Sequence, residues 1–207
     1  MIKKKHIGLF FGTFNPIHVG HLTIANYMAQ RPEIDEVWFV VSPLNPLKKK
    51  QTILADYHRL RLVTEAIFDN NLLKASNIEF DLPKPSYTID TLAYLSEKYS
   101  ENKFSIIMGE DNLRTLPKWK NYKEIIKNYG IYIYPRVVTD YDKKANVKSE
   151  DVDELREHKN ITFCDEVPVM AISASFIREQ IRNKKSVMYL LTPPVAKYIE
   201  EMHFYEK

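Results

Sequence analysis

Ile7-Gly8-Leu9-Phe10-Phe11-Gly12-Thr13-Phe14-Asn15-Pro16-Ile17-His18-Val19-Gly20-His21-Leu22 decides how the rest of the chain is read. Ile7, Leu9, Phe10 and Phe11 suit a short buried strand, and the Gly, Thr, Asn and Pro residues after them carry turn chemistry. Beyond Gly20, the residues Leu22, Ile24, Ala25, Met28 and Ala29 recur at helical spacing. The turn therefore delivers the chain into a helix whose first turn carries or adjoins both His18 and His21. Two imidazoles then stand near the positive end of a helix, where unpaired N–H groups offer donors to an anion. Gly12 and Gly20 leave the backbone open to a polyphosphate. Each residue also has a plainer reading: Gly12 serves a turn, Gly20 serves close helix-sheet packing, and either histidine is a polar cap. The spacing is neither that of a P-loop nor that of the dinucleotide fingerprint.

Outward from this stretch, Val37-Trp38-Phe39-Val40-Val41 is a continuous run of β-formers that stops at Ser42-Pro43. It reads as the second strand of a β-α-β unit, which implies a parallel sheet covered by helices. Ligands of such sheets bind beyond the carboxyl ends of the strands. The prolyl segment after Ser42, with Asn45 and Lys48, falls on that side, next to the histidine loop. A helix is expected over residues 56–68, packed through Leu60, Val63 and Ile67, with His58 and Arg59 on its surface. A weaker strand is expected over 73–78. Tyr87-Thr88 leads into a helix outlined by Ile89, Leu92 and Ala93, which either Ser86 or Thr88 caps.

Residues 103–108 make the clearest later strand, which stops at Gly109-Glu110-Asp111. Asp111 there either accepts hydrogen bonds from ribose hydroxyls or caps a short helix over 112–116. Trp119 is a buried anchor or a platform for a flat heteroaromatic ring. Gly130 reads as a C-cap before a strand over 131–134 that ends at Pro135-Arg136. A charged surface excursion over 141–157, carrying a short helix near 152–156, precedes a return to the sheet at 161–163. Ser173 stands at a strand-to-helix transition, with Ser175 in the first turn and Arg178 one turn on. The free amides, the hydroxyl and the guanidinium would together form an anion site. Their plain alternatives are a cap and a surface ion pair. A threonine and two prolines at 192–194 open a last helix, and His203 in the tail has no functional context.

The chain has 207 residues, 44% of them hydrophobic, enough for one sizeable core, so residues 1–207 are expected to form a single domain with 174–207 as its C-terminal helical part. The basic start is a poor signal peptide, and no apolar run approaches a membrane span. Cys164 is the one cysteine, which excludes an internal disulfide and suits a cytoplasmic enzyme. Thirty Lys and Arg against 27 Asp and Glu leave a formal charge of +3, too small an excess to imply a nucleic acid partner. Lys48-Lys49-Lys50 is one local basic run. A zinc protein is the other rival, but His18 and His21 have no second pair of ligands at suitable spacing.

The opening stretch closely resembles the Gly-x-Phe-x-Pro-x-His-x-Gly-His signature of the nucleotidyltransferase superfamily. Ile172-Ser173-x-Ser175-x-Ile177-Arg178 resembles that superfamily's second signature, Ile-Ser-x-Thr/Ser-x-x-Arg. The two stand at opposite ends of the chain, in family order. Across most of its length the chain is most similar to bacterial nicotinate-nucleotide adenylyltransferases. The landmarks are the Ser42 to Lys48 segment, Tyr87-Thr88-x-Asp90-Thr91, Gly109-x-Asp111 and Trp119. There are departures: Phe11 replaces a common Gly, Asn15 a common Asp, and Leu47-Lys48 stands where Pro-His-Lys is frequent.

The resemblance implies an α/β fold, a Rossmann-like open parallel sheet with helices on both faces. It implies transfer of the adenylyl group of ATP to nicotinate mononucleotide, with release of pyrophosphate, in NAD biosynthesis. His18, His21 and Arg178 are the implied catalytic residues. Gly12, Thr13, Phe14, Gly109, Asp111, Ser173 and Ser175 join them in binding ATP. Asn45, Lys48, Tyr87, Thr88, Trp119 and Arg136 are expected around the pyridine nucleotide. Mg2+ would come with ATP, with no metal site built by the protein. Alternative acceptors are nicotinamide mononucleotide, phosphopantetheine and glycerol phosphate, and a nucleotide-binding protein without turnover is the non-enzymatic alternative. A homo-oligomer stays open, and neither nucleic acid nor membrane is an expected partner.

Overall fold

The computed structural model describes residues 4–43, 53–135 and 155–206. Within them, β1 (His6–Gly12), β2 (Glu36–Val41), β3 (Leu73–Ser76), β4 (Lys103–Gly109), β5 (Gly130–Tyr134) and β6 (Ile161–Phe163) form one sheet. The strand order is β3-β2-β1-β4-β5-β6, and every neighbouring pair is parallel. The helices are α1 (Val19–Met28), α2 (Asp56–Ala66), α3 (Thr88–Lys98), α4 (Glu110–Leu113), α5 (Tyr122–Asn128), α6 (Ala174–Arg182) and α7 (Pro193–Glu201). Turns of 3-10 helix lie at Ile78–Phe80 and Leu116–Lys118.

Side chains alternate across a strand, so a sheet buried on both faces needs apolar residues at successive positions. Ile7, Leu9, Val40, Ile106, Met108, Ile131 and Ile133 belong to one core, with Leu92 and Leu95 of α3 and Ile125 of α5. Phe10, Val37, Phe39, Val41, Ile107 and Tyr132 belong to the other, with Ala25 and Met28 of α1, Leu62 and Val63 of α2, Ile177 of α6 and Ile199 of α7. The continuous runs at 7–11 and 37–41 thus serve two cores, and helices cover both faces as the resemblance implied. Among the described residues no helix is long and apolar enough to cross a membrane.

The order reverses between β1 and β4, the point where open parallel sheets bind ligands. On its outer side β1 stays paired to its end, at Gly12 opposite Val41, and β4 does likewise at Gly109 opposite Tyr134. Between the two, the ladder stops at Phe10 opposite Ile107. The last two residues of each strand therefore flank an opening, and the loops after Gly12 and Gly109 stand at its mouth.

Several local expectations change. The third strand stops at Ser76, because Ser76 Oγ accepts from the Ile78 amide at 3.4 Å and the chain turns. Neither Ser86 nor Thr88 caps α3. Tyr87 is its N-cap, Thr88 its first residue, and Ser86 Oγ donates instead to the buried Glu79 at 3.2 Å. The helix after β4 starts at Glu110, so Asp111 lies inside its first turn and Gly109 is the N-cap. Gly130 is no C-cap. It begins β5 without a positive φ, and an added Cβ would fall 2.7 Å from Ser105 Oγ on β4. Its lack of a side chain admits the neighbouring strand. Residues 169–173 are not a strand, so Ser173 follows an irregular segment. Most of the 141–157 excursion lies outside the described residues.

Candidate active site

The loop from β1 to α1 is held by a ring packed beneath its own backbone. Phe14 has φ 45° and is 2% exposed. A Cβ on Gly12 would stand 2.8 Å from the Phe14 ring, so that glycine is required by the ring. A non-glycine residue in the left-handed region costs on the order of 1–3 kcal/mol. Edge-on contacts with Phe10 at 5.9 Å and Phe39 at 5.3 Å hold it there.

His18, 5% exposed and extended at φ −147°, is the N-cap of α1, and His21 is its third residue. The His18 amide donates to His21 Nδ1 at 3.3 Å, and the two imidazoles stack with centroids 3.7 Å apart and planes 27° from parallel. With Nδ1 accepting, a neutral His21 carries its proton on Nε2. Phe14 meets the His21 ring edge-on at 5.3 Å. An added Cβ on Gly20 would come within 3.1 Å of His18 Nδ1, so this glycine makes room for the His18 ring. Capping and a pair of oriented imidazoles are therefore the same geometry.

The second motif docks directly on this loop. Ser173 caps α6, its Oγ accepting from the Phe176 amide at 3.2 Å. Arg178, one turn on, donates from Nη1 to the Asn15 carbonyl at 2.8 Å and from Nη2 to Ser175 Oγ at 3.1 Å. Burial draws the Arg178 pKa down from its ordinary value, while nearby Tyr205 pulls it up. The guanidinium remains a cation, held half-buried against the loop that carries the histidines. The Val19 amide also donates to the Leu190 carbonyl at 3.0 Å, so the C-terminal segment grips the loop a second time.

Across the opening, an added Cβ on Gly109 would stand 2.5 Å from Asp111 Oδ1 and 3.2 Å from Tyr134. The Asp111 carboxylate is thus folded back over the end of β4, beside the end of β5. Tyr87 and Thr88 stand at the start of α3, and Trp119 follows the 3-10 turn that precedes α5. The chain leaves β3 and β4 at their carboxyl ends and returns through α3 and α5, so the starts of both helices lie on the ligand side. Lys120 joins them: its ammonium pairs with Asp90 at 2.9 Å and lies 4.7 Å from the centre of the Tyr87 ring. Trp119 is half-buried against the α3–α5 core, combining the anchor with a partly open ring. Asn45, Lys48 and Arg136 lie outside the described residues.

Two residues of this region were misjudged or missed in the sequence. Arg59 is not on the surface of α2 but fully buried. Its guanidinium donates to the carbonyls of Thr13 at 2.7 Å, Ser42 at 2.8 Å, Leu54 at 3.0 Å and Pro43 at 3.4 Å, and pairs with Asp56. The buried stripe of α2 is Arg59, Leu62, Val63 and Ala66, so Arg59 occupies a core position of a helical period. Tyr205, in the C-terminal tail, donates its hydroxyl to Asn15 Oδ1 at 2.8 Å. The sequence carries no signal for that bond. His203 is exposed and pairs with Glu206, and among the described residues no group of three or more His, Cys, Asp or Glu is placed to hold a metal.

A family described as cytidylyltransferase-like matches residues 9–180. A probable nicotinate-nucleotide adenylyltransferase from Flavobacterium psychrophilum is 51% identical over 201 residues, 97% of this chain and 99% of that protein. One of the same name from Bacteroides thetaiotaomicron is 41% identical over 198 residues, 96% of this chain and 92% of the other. Among solved structures, nicotinic acid mononucleotide adenylyltransferase of Plasmodium falciparum, complexed with NaAD, superposes with a TM-score of 0.76 over 98% of both chains. At 17% identity that likeness speaks for the fold.

Proposed function

The chain belongs to the nicotinate-nucleotide adenylyltransferases, within the cytidylyltransferase-like family, and on that premise we propose how it transfers the adenylyl group of ATP to nicotinate mononucleotide. An oxygen of the acceptor phosphate attacks the α-phosphorus of ATP. One P–O bond forms, the bond to the β-phosphate breaks, and nicotinate adenine dinucleotide and pyrophosphate result. The attacking phosphate is already anionic near neutral pH, so no general base is required. Alignment and charge stabilisation carry the rate.

Gly12, Thr13 and Phe14 would line the phosphate cradle, and His18 and His21 would donate to the transferring phosphoryl group and its leaving oxygen. Arg178, with Ser173 and Ser175, would hold the outer phosphates through its planar fork. Gly109 would make room for the Asp111 carboxylate over the end of β4, and Asp111 would accept from the ribose hydroxyls. Trp119 would stack on the pyridine ring, with Tyr87 and Thr88 orienting it, and Asn45, Lys48 and Arg136 complete the set proposed to bind this nucleotide. Mg2+ would come with ATP, as the counter-ion of its phosphates. Such an ion supplies charge neutralisation of the phosphate oxygens. The enzyme would work in the cytoplasm.

The observation that carries this reading is the Arg178 bond to the Asn15 carbonyl, which brings the second motif onto the histidine loop. The test is pyrophosphate release from ATP with nicotinate mononucleotide, nicotinamide mononucleotide, phosphopantetheine or glycerol phosphate as acceptor. Turnover highest with nicotinate mononucleotide is expected. A preference for another acceptor would move the chain elsewhere in the superfamily, and no turnover with any would make it a binding protein.

A further inference from the structure

Asn15, 4% exposed, is where four parts of the chain meet. Its side-chain oxygen accepts from the Tyr205 hydroxyl at 2.8 Å and from the Leu54 amide at 3.3 Å. Its carbonyl accepts from Arg178 at 2.8 Å. Tyr205 is placed there by the packing of the tail. Phe204 meets His58 edge-on at 4.7 Å and Tyr198 at 5.7 Å, and its amide donates to the Ile199 carbonyl at 3.1 Å. Tyr205 itself sits at φ 67°, a backbone state that tyrosine rarely adopts. Burial pushes its phenol well above the ordinary range, so the hydroxyl keeps its proton and the direction of its bond is fixed at physiological pH.

We propose that Tyr205 is a positioning residue for adenylyl transfer: by holding the Asn15 side chain, its hydroxyl sets where the Asn15 carbonyl seats the Arg178 guanidinium relative to His18 and His21. A bare tail needs only its apolar ring to close the core between α2 and α7. The hydroxyl reaches past that core to the one loop that carries both histidines. Because the Leu54 amide donates to the same oxygen, Asn15 also links the tail to the residues that lead into α2. This inference rests on the reading of Arg178 as a holder of the triphosphate.

The experiment is a kinetic double-mutant cycle of Tyr205→Phe and Arg178→Lys, with melting temperatures recorded and assays run well below them. Tyr205→Phe keeps the ring and removes one hydrogen bond. It should raise KM for ATP and lower kcat/KM for ATP by about fivefold, with KM for nicotinate mononucleotide changed less. If the hydroxyl acts through Arg178, it has nothing left to position in Arg178→Lys, and the double variant should be no worse than Arg178→Lys alone. Asn15→Leu cuts the same link from its other end and should show the same rise in KM for ATP. Unchanged ATP kinetics in Tyr205→Phe, losses that multiply in the double variant, or an Asn15→Leu defect confined to melting temperature would each overturn the positioning role while the ATP site stands. Unchanged ATP kinetics in Arg178→Lys would instead overturn the reading beneath it, and this inference with it.

Discussion

Replacing Arg59 by alanine tests whether the loops after β1 and β2 are held from inside the fold. A guanidinium has five N–H groups, and in Arg59 they meet four main-chain carbonyls and the Asp56 carboxylate. The side chain is fully buried, so truncation takes a donor from all four carbonyls and leaves Asp56 only the more exposed Lys84, 3.4 Å away. Leaving a buried acceptor without its donor costs about 1–3 kcal/mol, and with four carbonyls affected a total of about 3–5 kcal/mol is expected, which for a chain of this size lowers the melting temperature by about 6–20 °C. A residue on the helix surface would move stability by no more than about 0.5 kcal/mol. The two cases are therefore well separated. Arg59→Lys sharpens the test, because an ammonium offers three donors from a single atom and cannot span the same acceptors. It should fall between the parent and Arg59→Ala. Since Thr13 lies in the proposed phosphate cradle and Ser42 and Pro43 lead into the segment proposed for the acceptor, the lysine variant should also raise KM for both substrates. Thermal unfolding followed by circular dichroism, with initial rates measured well below the transition, reads both effects. A melting temperature for Arg59→Ala within about 2 °C of the parent would refute the argument.

His21→Ala should lower kcat by about 10²–10³ through loss of a donor to the transition state, with a modest change in melting temperature; a well-folded variant with near-parental kcat would remove His21 from the chemistry. Trp119→Ala should raise KM for nicotinate mononucleotide while changing KM for ATP much less, and equal impairment of both substrates would defeat its placement beside the pyridine ring. His6, at the start of β1, is held below its ordinary value of 6.5, first by burial and then by Lys103. The unfolded chain therefore binds that proton more readily, so stability should fall as the pH drops below about 6.5; His6→Gln should flatten melting temperature against pH there, and an unchanged slope would show that other groups govern it.

The fold was legible in the sequence because its determinants are local and periodic. The runs at 7–11 and 37–41 are apolar at successive positions, which a sheet buried on both faces demands, and the histidine stretch carries its turn chemistry in a handful of adjacent residues. Boundaries were less legible, since they depend on which group satisfies an end. Tyr87 caps α3 by backbone geometry alone, while the better capping side chain, Ser86, is drawn away by Glu79. Gly130 looked like a cap because glycine ends helices, whereas its actual constraint is Ser105 on the next strand, 25 residues away in the chain. A reason of that kind exists only after the sheet has formed.

The joints of the candidate site are illegible for a more general reason. Arg59 and Arg178 secure the histidine loop by donating to the carbonyls of Thr13 and Asn15, and a carbonyl is present at every residue. Nothing in the acceptor's identity announces the contact, so a sequence can show that an arginine has a charge to place but not where it is placed. The helical period does better for Arg59, because a charged residue in register with Leu62, Val63 and Ala66 must find acceptors inside the fold or go unpaired. Arg178 has only its motif to mark it. That difference predicts which kind of residue such a reading misses: a side chain like that of Tyr205, outside any motif, whose contact lies 190 positions away and whose partner is chosen by the packing of the tail.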